Sequence, residues 1–368
     1  SDWKDTFLFN GEAPQPGQRV CLPGHARTLE AIAESEGRAF YEGDIAAAIE
    51  ECSTQEHGYM KRDDLKDHQT ESVNPITLDY RGRTLHEIPP NGQGIAALVG
   101  LGILKHFDLP NESPDSSDTL HLQIEAMKLG FADAYSHVSD PDFIKTHPRE
   151  LLDPNRLEEL AKKIRINQAQ DFHAGIPRPG GTILLCAADN EGRCISFIQS
   201  NYMGFGSGVV IPEWGISMQN RGSGFHLDPQ HPNCLAPAKR PYHTIIPAMT
   251  TPTRSEDSLD SGLMAFGVMG GMMQPQGHLQ VLSRIQDFKQ NPQAALDAPR
   301  FRWNRDLDVS VEPGVAHSVC SELLSRGHQL KQVERPNATF GRGQVIHAIK
   351  NGWCGASDLR ADGLAVGR

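Results

Sequence analysis

The sequence predicts an α+β protein in which helices pack on a shared sheet system. Three observations predict it. Apolar residues recur at helical spacing through 26–51 and 120–135, a block of short apolar runs between 182 and 269 reads as strands, and helical spacing resumes at 275–288 and 316–326. Helix-rich segments on both sides of one strand block argue for shared layers rather than two independently folding halves. With 368 residues, 38% hydrophobic and 22% charged, the chain can bury a core of that size.

From Ala26 to Glu51 the helical pattern breaks near Gly43-Asp44, where Asp44 can cap a second helix. "ITLDYRGRTLHEI", residues 76–88, alternates around "YRGR" and predicts a hairpin. "PPNGQGIAALVGLGILKHF" follows, two prolines and two glycines preceding a strongly apolar helix. The helix from Leu120 to Tyr135 carries Leu122, Met127, Leu129 and Phe131 with charges between them. The charged stretch 150–180 is expected to be exposed, and strands are expected at 182–188, 193–200, 215–220, 242–251 and 262–269.

A net charge of −11 argues against a nucleic-acid groove as the main function, and no apolar run reaches membrane-spanning length. Seven cysteines without a C-x-x-C pair argue against a disulfide scaffold or a structural metal; Cys186, among apolar neighbours, reads as a buried thiol. The sixteen histidines include no H-E-x-x-H, and "HLQIE" at His121 is not read as a ligand pair, so neither metal nor cofactor is expected. "SDWKDTFLFN" is not a signal peptide, and a start without Met suggests that the true N-terminus lies upstream. The expected compartment is the cytoplasm if no signal precedes residue 1, and the periplasm otherwise.

"TILLCAAD" is apolar without alternation and predicts a strand covered on both faces. Its partner is "RCISFIQS". A three-residue Asn190-Glu191-Gly192 loop, with Gly192 left-handed, pairs Ala188 with Cys194, Cys186 with Ser196, Leu184 with Ile198 and Thr182 with Ser200. Two hydroxyls then meet at the open end of the hairpin, beside "NYMGFGSG". A two- or four-residue loop would put Ser200 on the other face. Thr182 has two readings: a β-branched residue opening a strand, or a nucleophile whose base is its own α-amine, freed when the chain splits after Gly181.

Gly270-Gly271 in "GVMGG" leaves a strand end where backbone N–H groups could stabilise an oxyanion, or makes a tight turn; phosphate-loop spacing is not met. Arg221 in "QNRGSGF" could clamp a carboxylate or be solvated. His243 could act as a base or serve structure, and Thr244 follows it at the head of an expected strand.

Together these segments resemble the γ-glutamyltransferase (γ-glutamyltranspeptidase) family of N-terminal nucleophile hydrolases. The resemblance runs through "ARTLEAIAESEGRAFYEGDIAAAI", "YRGRTLHEIPPNGQGIAAL", "EAMKLGFADAY", the Thr182 hairpin, "LAPAKRPYHTIIP", "GVMGG", "LDAPRF" and "GASDLRADGLAVG". It implies an αββα four-layer sandwich made as a precursor that splits between Gly181 and Thr182. Residues 1–181 would be the C-terminal part of a large subunit and 182–368 the small subunit, paired in one shared fold as a heterodimer or a dimer of heterodimers. Thr182 would attack a γ-glutamyl amide, glutathione-like, and pass the acyl group to water or to an amino acid or peptide amine. Ser200 matches the family's second hydroxyl, and Gly270 and Gly271 its oxyanion glycines.

The sequence also departs from the family. Tyr202, after Asn201, with Arg221 and Gly224, stands where transpeptidases hold the substrate α-amine, and His243-Thr244 stands where two serines hold the α-carboxylate. An Arg there repels an ammonium and attracts a carboxylate. This favours donors such as the glutaryl group of cephalosporin acylases. An unsplit, catalytically silent binding or structural relative is the reading from another class.

Overall fold

In the computed structural model, residues 2–173, 181–253 and 262–367 are described. The chain gathers into two compact units, residues 1–72 with 201–220, and residues 73–200 with 221–368. Residues on both sides of Gly181-Thr182 share the larger unit.

The smaller unit holds α1 (Asp2–Phe7), α2 (Pro23–Glu34), α3 (Arg38–Tyr41), α4 (Asp44–Gln55) and α5 (Arg62–Lys66). Ile45, Ile49 and Cys52 of α4 bury against Ile211, with Trp214, Ile216 and Met218 packed around them. The helix break falls as expected, but Gly43 is the N-cap and Asp44 the first helical residue, where its charge faces the helix dipole. The strand expected at 215–220 does not form. Glu213 and Gly215 both take positive φ, and the resulting fold-back leaves a single bridge, Val210 to Ser217.

The larger unit opens with the hairpin β1 (Ile76–Tyr80) and β2 (Arg83–Glu87), then α6 (Gly94–Leu104) and α7 (Ser117–His137). Positive φ at Arg81 and Gly82 makes the type I′ turn that suits strand twist. Two helices, α8 (Pro148–Leu151) and α9 (Pro154–Lys162), occupy the stretch expected to be exposed. Asp153 caps α9 by accepting from Asn155 and Arg156 N–H, while Leu157, Leu160 and Ala161 bury one face, so the charges mark only the other face. Residues 174–180 lie outside the described residues.

Next come β3 (Gly181–Ala188), β4 (Cys194–Tyr202), β5 (Ala248–Pro252), β6 (Met264–Met269) and α10 (Met273–Gln286). The chain closes with α11 (Pro292–Asp297), β7 (Phe301–Arg305), β8 (Asp308–Val311), α12 (His317–Ser325), β9 (Gln329–Gln332), β10 (Arg342–Ile349) and β11 (Gly352–Ser357). The main sheet is antiparallel, in the order β1-β2-β5-β6-β10-β11. The strand expected over 242–251 is only β5. Residues before it are fastened by side chains instead of a ladder, with one bridge from Gly92 to His243.

The layers follow from β6, which is buried along its whole length. A Cβ on Gly277 of α10 would strike Val268, whereas one on Gly267 would lie 2.9 Å from Leu184 of β3. Alternate residues of β6 therefore face α10 on one side and the β3–β4 hairpin on the other. Behind α10, α6 is buried at every residue, and Gly130 of α7 lets the two helices meet: a Cβ there would sit 2.4 Å from Ala96 O.

The α+β class is thus observed, and three of the four expected layers stand among the described residues: helices, sheet and hairpin. The outer face of the hairpin is open. Ile183 is 58% exposed, Leu185 46%, Ile195 49% and Phe197 51%, so β3 is covered on one face only, contrary to expectation. The apolar run misleads because both of its faces carry apolar side chains, one of them towards solvent.

Candidate active site

The β3–β4 turn forms as expected: Gly192 takes φ 84°, its N–H donates to Asp189 O, and Asp189 N–H donates to Arg193 O. Asp189 carboxylate bonds from Glu191 N, Arg193 N and Arg193 Nε brace the loop. At the open end Thr182 is buried, and its Oγ1 donates to Ser200 Oγ at 3.3 Å. Ser200 Oγ in turn donates to Gly181 O at 2.5 Å. The nucleophile candidate, the second hydroxyl and the carbonyl preceding Thr182 form one directed chain of hydrogen bonds. It can move a proton away from Thr182 Oγ while drawing electrons from the Gly181 carbonyl.

Arg221 opens a four-residue 3-10 turn, Arg221–Gly224, and is 6% exposed. Its Nη1 donates to Thr244 Oγ1 at 2.9 Å and its Nη2 to Ser200 O at 3.4 Å. The structure therefore places Arg221 and Thr244 beside Ser200 and, through it, beside Thr182. Gly224 offers no side chain, and its O accepts from Asn233 Nδ2 at 2.7 Å. Burial, with the Arg221 charge nearby, pushes the His243 pKa down to about 3, so its imidazole is neutral at working pH. A base that weak is a poor proton acceptor for a hydroxyl.

Gly270 and Gly271 leave β6 with φ of 131° and 60°, values that glycine alone reaches without strain. Their carbonyls accept from Met273 N and Gln274 N, turning the chain into α10. Asn201 and Tyr202 belong to the smaller unit, where Asn201 Nδ2 donates to Ser217 O and buried Tyr202 takes φ 77°.

Two residues here escaped the sequence reading. Gln93, fully buried, donates through Nε2 to Thr244 O at 2.5 Å and Gly271 O at 2.9 Å and accepts from Tyr242 Oη, tying the Thr244 loop to the glycine pair. A lone amide just ahead of an all-apolar helix was its only local signal. Arg342, first residue of β10 and opposite Met269, donates from Nη2 to Thr182 O at 3.2 Å. Nothing local in "GRGQVIH" marks it.

His121, Glu125 and His328 bring ligand-type atoms within 4.8 Å of one another, a grouping that the spacing of "HLQIE" does not suggest. Most of their atoms are already engaged, His328 Nδ1 being the exception among the described residues. His121 Nδ1 bonds His328 Nε2, and Glu125 accepts from Lys128 Nζ at 2.6 Å and from Gln170 N. An ammonium held against the carboxylate disfavours a cation there, so the cluster reads as a buried structural network.

The Gamma-glutamyltranspeptidase family model matches residues 1–368. The glutathione hydrolase-like YwrD proenzyme of Bacillus subtilis is 35% identical over 99% of this chain and 69% of that protein. The oxamate amidohydrolase proenzyme of Klebsiella pneumoniae is 33% identical over 99% of this chain and 69% of its own length. The crystal structure of cephalosporin acylase from Bacillus halodurans superposes with a TM-score of 0.90 at 46% identity, over 99% of this chain and 66% of that one. The chain thus spans about two thirds of the length of these relatives.

Proposed function

The chain belongs to the γ-glutamyltranspeptidase family, and on that premise we propose that it is a self-splitting amidohydrolase whose nucleophile is Thr182. The observation that carries the reading is the relay from Thr182 Oγ1 through Ser200 Oγ to Gly181 O. Thr182 Oγ attacks the Gly181 carbonyl carbon and gives up its proton, the peptide C–N bond breaks, and the nitrogen takes up a proton and leaves as the amine of Thr182. Water then hydrolyses the resulting Gly181 ester, freeing the hydroxyl. In turnover the new α-amine accepts the Oγ proton as Oγ attacks the donor amide, and gives that proton to the departing amine. Ser200 orients Oγ, and the Gly270-Gly271 backbone is the candidate stabiliser of the oxyanion. Water, or a second amine, resolves the acyl ester.

The donor is a γ-glutamyl or related amide. Buried Arg221 favours the glutaryl-like branch, because a guanidinium held against Thr244 Oγ1 and Ser200 O attracts a terminal carboxylate and repels an α-ammonium. Names of relatives on both sides, glutathione hydrolase-like and cephalosporin acylase, are compatible with either branch.

Intact mass with N-terminal sequencing tests the splitting. Two fragments, one beginning Thr-Ile-Leu-Leu, and a single uncut species for Thr182→Ala are expected; one uncut chain in both would sink the reading. For the donor, glutaryl-p-nitroanilide should be hydrolysed in preference to γ-glutamyl-p-nitroanilide, and Arg221→Met should abolish that preference. The opposite preference in the parent protein would overturn the assignment to Arg221.

A further inference from the structure

We propose that Arg342 is a positioning residue that holds Thr182 and lowers the pKa of its α-amine; the inference rests on Thr182 becoming an N-terminus. The guanidinium donates to Thr182 O at 3.2 Å, and its buried Nε has no partner among the described residues. The side chain is thus kept at this place with one of its donors unsatisfied. With that bond, standard backbone dimensions keep the positive charge within about 7 Å of the Thr182 nitrogen.

An amine beside that charge loses its proton more readily than one in water, because ammonium and guanidinium repel each other. For an enzyme whose base is that amine the consequence is direct: more of it is neutral at a given pH.

Splitting makes one negative charge beside the new amine, the Gly181 carboxylate, which must vacate the place of the Gly181 carbonyl for a donor amide to reach Oγ; the described side chains around Thr182 do not oppose the effect. The elements packed against β3 are β4, β6 and β10. Strand β6 has no titratable side chain. The thiols Cys186 and Cys194 are held protonated by burial, Cys186 with its pKa pushed up to about 12. Tyr202 ends β4, and His347 lies opposite Met264, at the other end of the β6 pairing from Arg342. Buried Arg221, against Ser200 O, adds a second positive charge, and His243 is neutral. Glu87 is held by His278 Nδ1 at 2.7 Å, and the His278 ring lies behind Gly267; Asp358, against Gly343 N of β10, is paired with Arg300 and Arg360.

Arg342 also orders the site. It sits opposite Met269, the residue before Gly270, so a single side chain registers the nucleophile against the glycine turn.

The test is a pH titration of the Thr182 α-amine in the split wild-type protein, read by mass spectrometry as the rate of acetylation of the fragment beginning Thr-Ile-Leu-Leu. The expected midpoint lies about one unit below the ordinary α-amine range of roughly 7.7–8.0. In Arg342→Gln the midpoint, and with it the acidic limb of kcat/KM, should move up by about one unit. Arg342→Lys should keep the wild-type limb. A wild-type midpoint inside the ordinary range overturns the inference, as does an unmoved limb in a folded Arg342→Gln protein. Should that variant fail to fold, Arg342→Met takes its place: the same upward shift is expected, and an unmoved limb overturns the inference. Absence of the new N-terminus would instead bring down the nucleophile reading on which this one stands.

Discussion

Replacing Ser200 by alanine isolates the relay. The hydroxyl accepts from Thr182 Oγ1 at 3.3 Å and donates to Gly181 O at 2.5 Å. Loss of a donor to a developing oxyanion slows acyl chemistry by roughly 10²–10³, and loss of a proton acceptor by roughly 10²–10⁴. One group does both, so the penalties do not multiply. Self-cleavage of Ser200→Ala should then be slower by roughly 10²–10³, or about 3–4 kcal/mol of barrier. The fold should survive, because one neutral hydroxyl pair is worth only about 1 kcal/mol. The assay follows appearance of the fragment beginning at Thr182 in freshly synthesised precursor, with Ser200→Thr as the variant that keeps a hydroxyl. Splitting of Ser200→Ala within threefold of the parent rate would refute the relay.

Two further outcomes can be checked. Gln93→Leu leaves Thr244 O, Gly271 O and Tyr242 Oη without this partner, and at about 1 kcal/mol each should cost about 3 kcal/mol in urea unfolding; a loss under about 1 kcal/mol would mean that the loops hold without it. Burial lowers His121 to about 4, and His243 and His328 to about 3. Their neutral forms belong to the fold, so each subtracts up to about 1.4 kcal/mol of stability per unit as pH falls below 6.5 towards the folded values. Glu87, Glu125 and Asp287, raised by burial, oppose part of that loss. The direct readout is therefore the imidazole Cε1 proton resonances. They should stay unshifted from about pH 8 to 5, and a titration near 6.5 would contradict the burial.

Local chemistry made much of this legible. The Asn190-Glu191-Gly192 turn dictated the hairpin, which brought Thr182 to Ser200 without any long-range knowledge. The open face of β3 was not legible, because Ile183 and Leu185 read the same whether a neighbour covers them or not. Residues 242–247 looked like strand from composition, yet side-chain amides satisfy part of their backbone, with Ile246 N donating to Gln274 Oε1. Arg342 lies 160 residues from the carbonyl it holds, and such a contact has no periodicity to betray it.

The hairpin that presents Thr182 also carries Ile183, Leu185, Ile195 and Phe197 on its open side, in a sheet of only two strands among the described residues. The segment that holds the nucleophile therefore carries a contiguous exposed apolar patch. Self-association at high concentration and uptake of fluorescent hydrophobic dyes should both begin there, and they should fade together when Phe197 is exchanged for a charged residue. Colloidal behaviour on the bench would then report on the same strands that carry the chemistry.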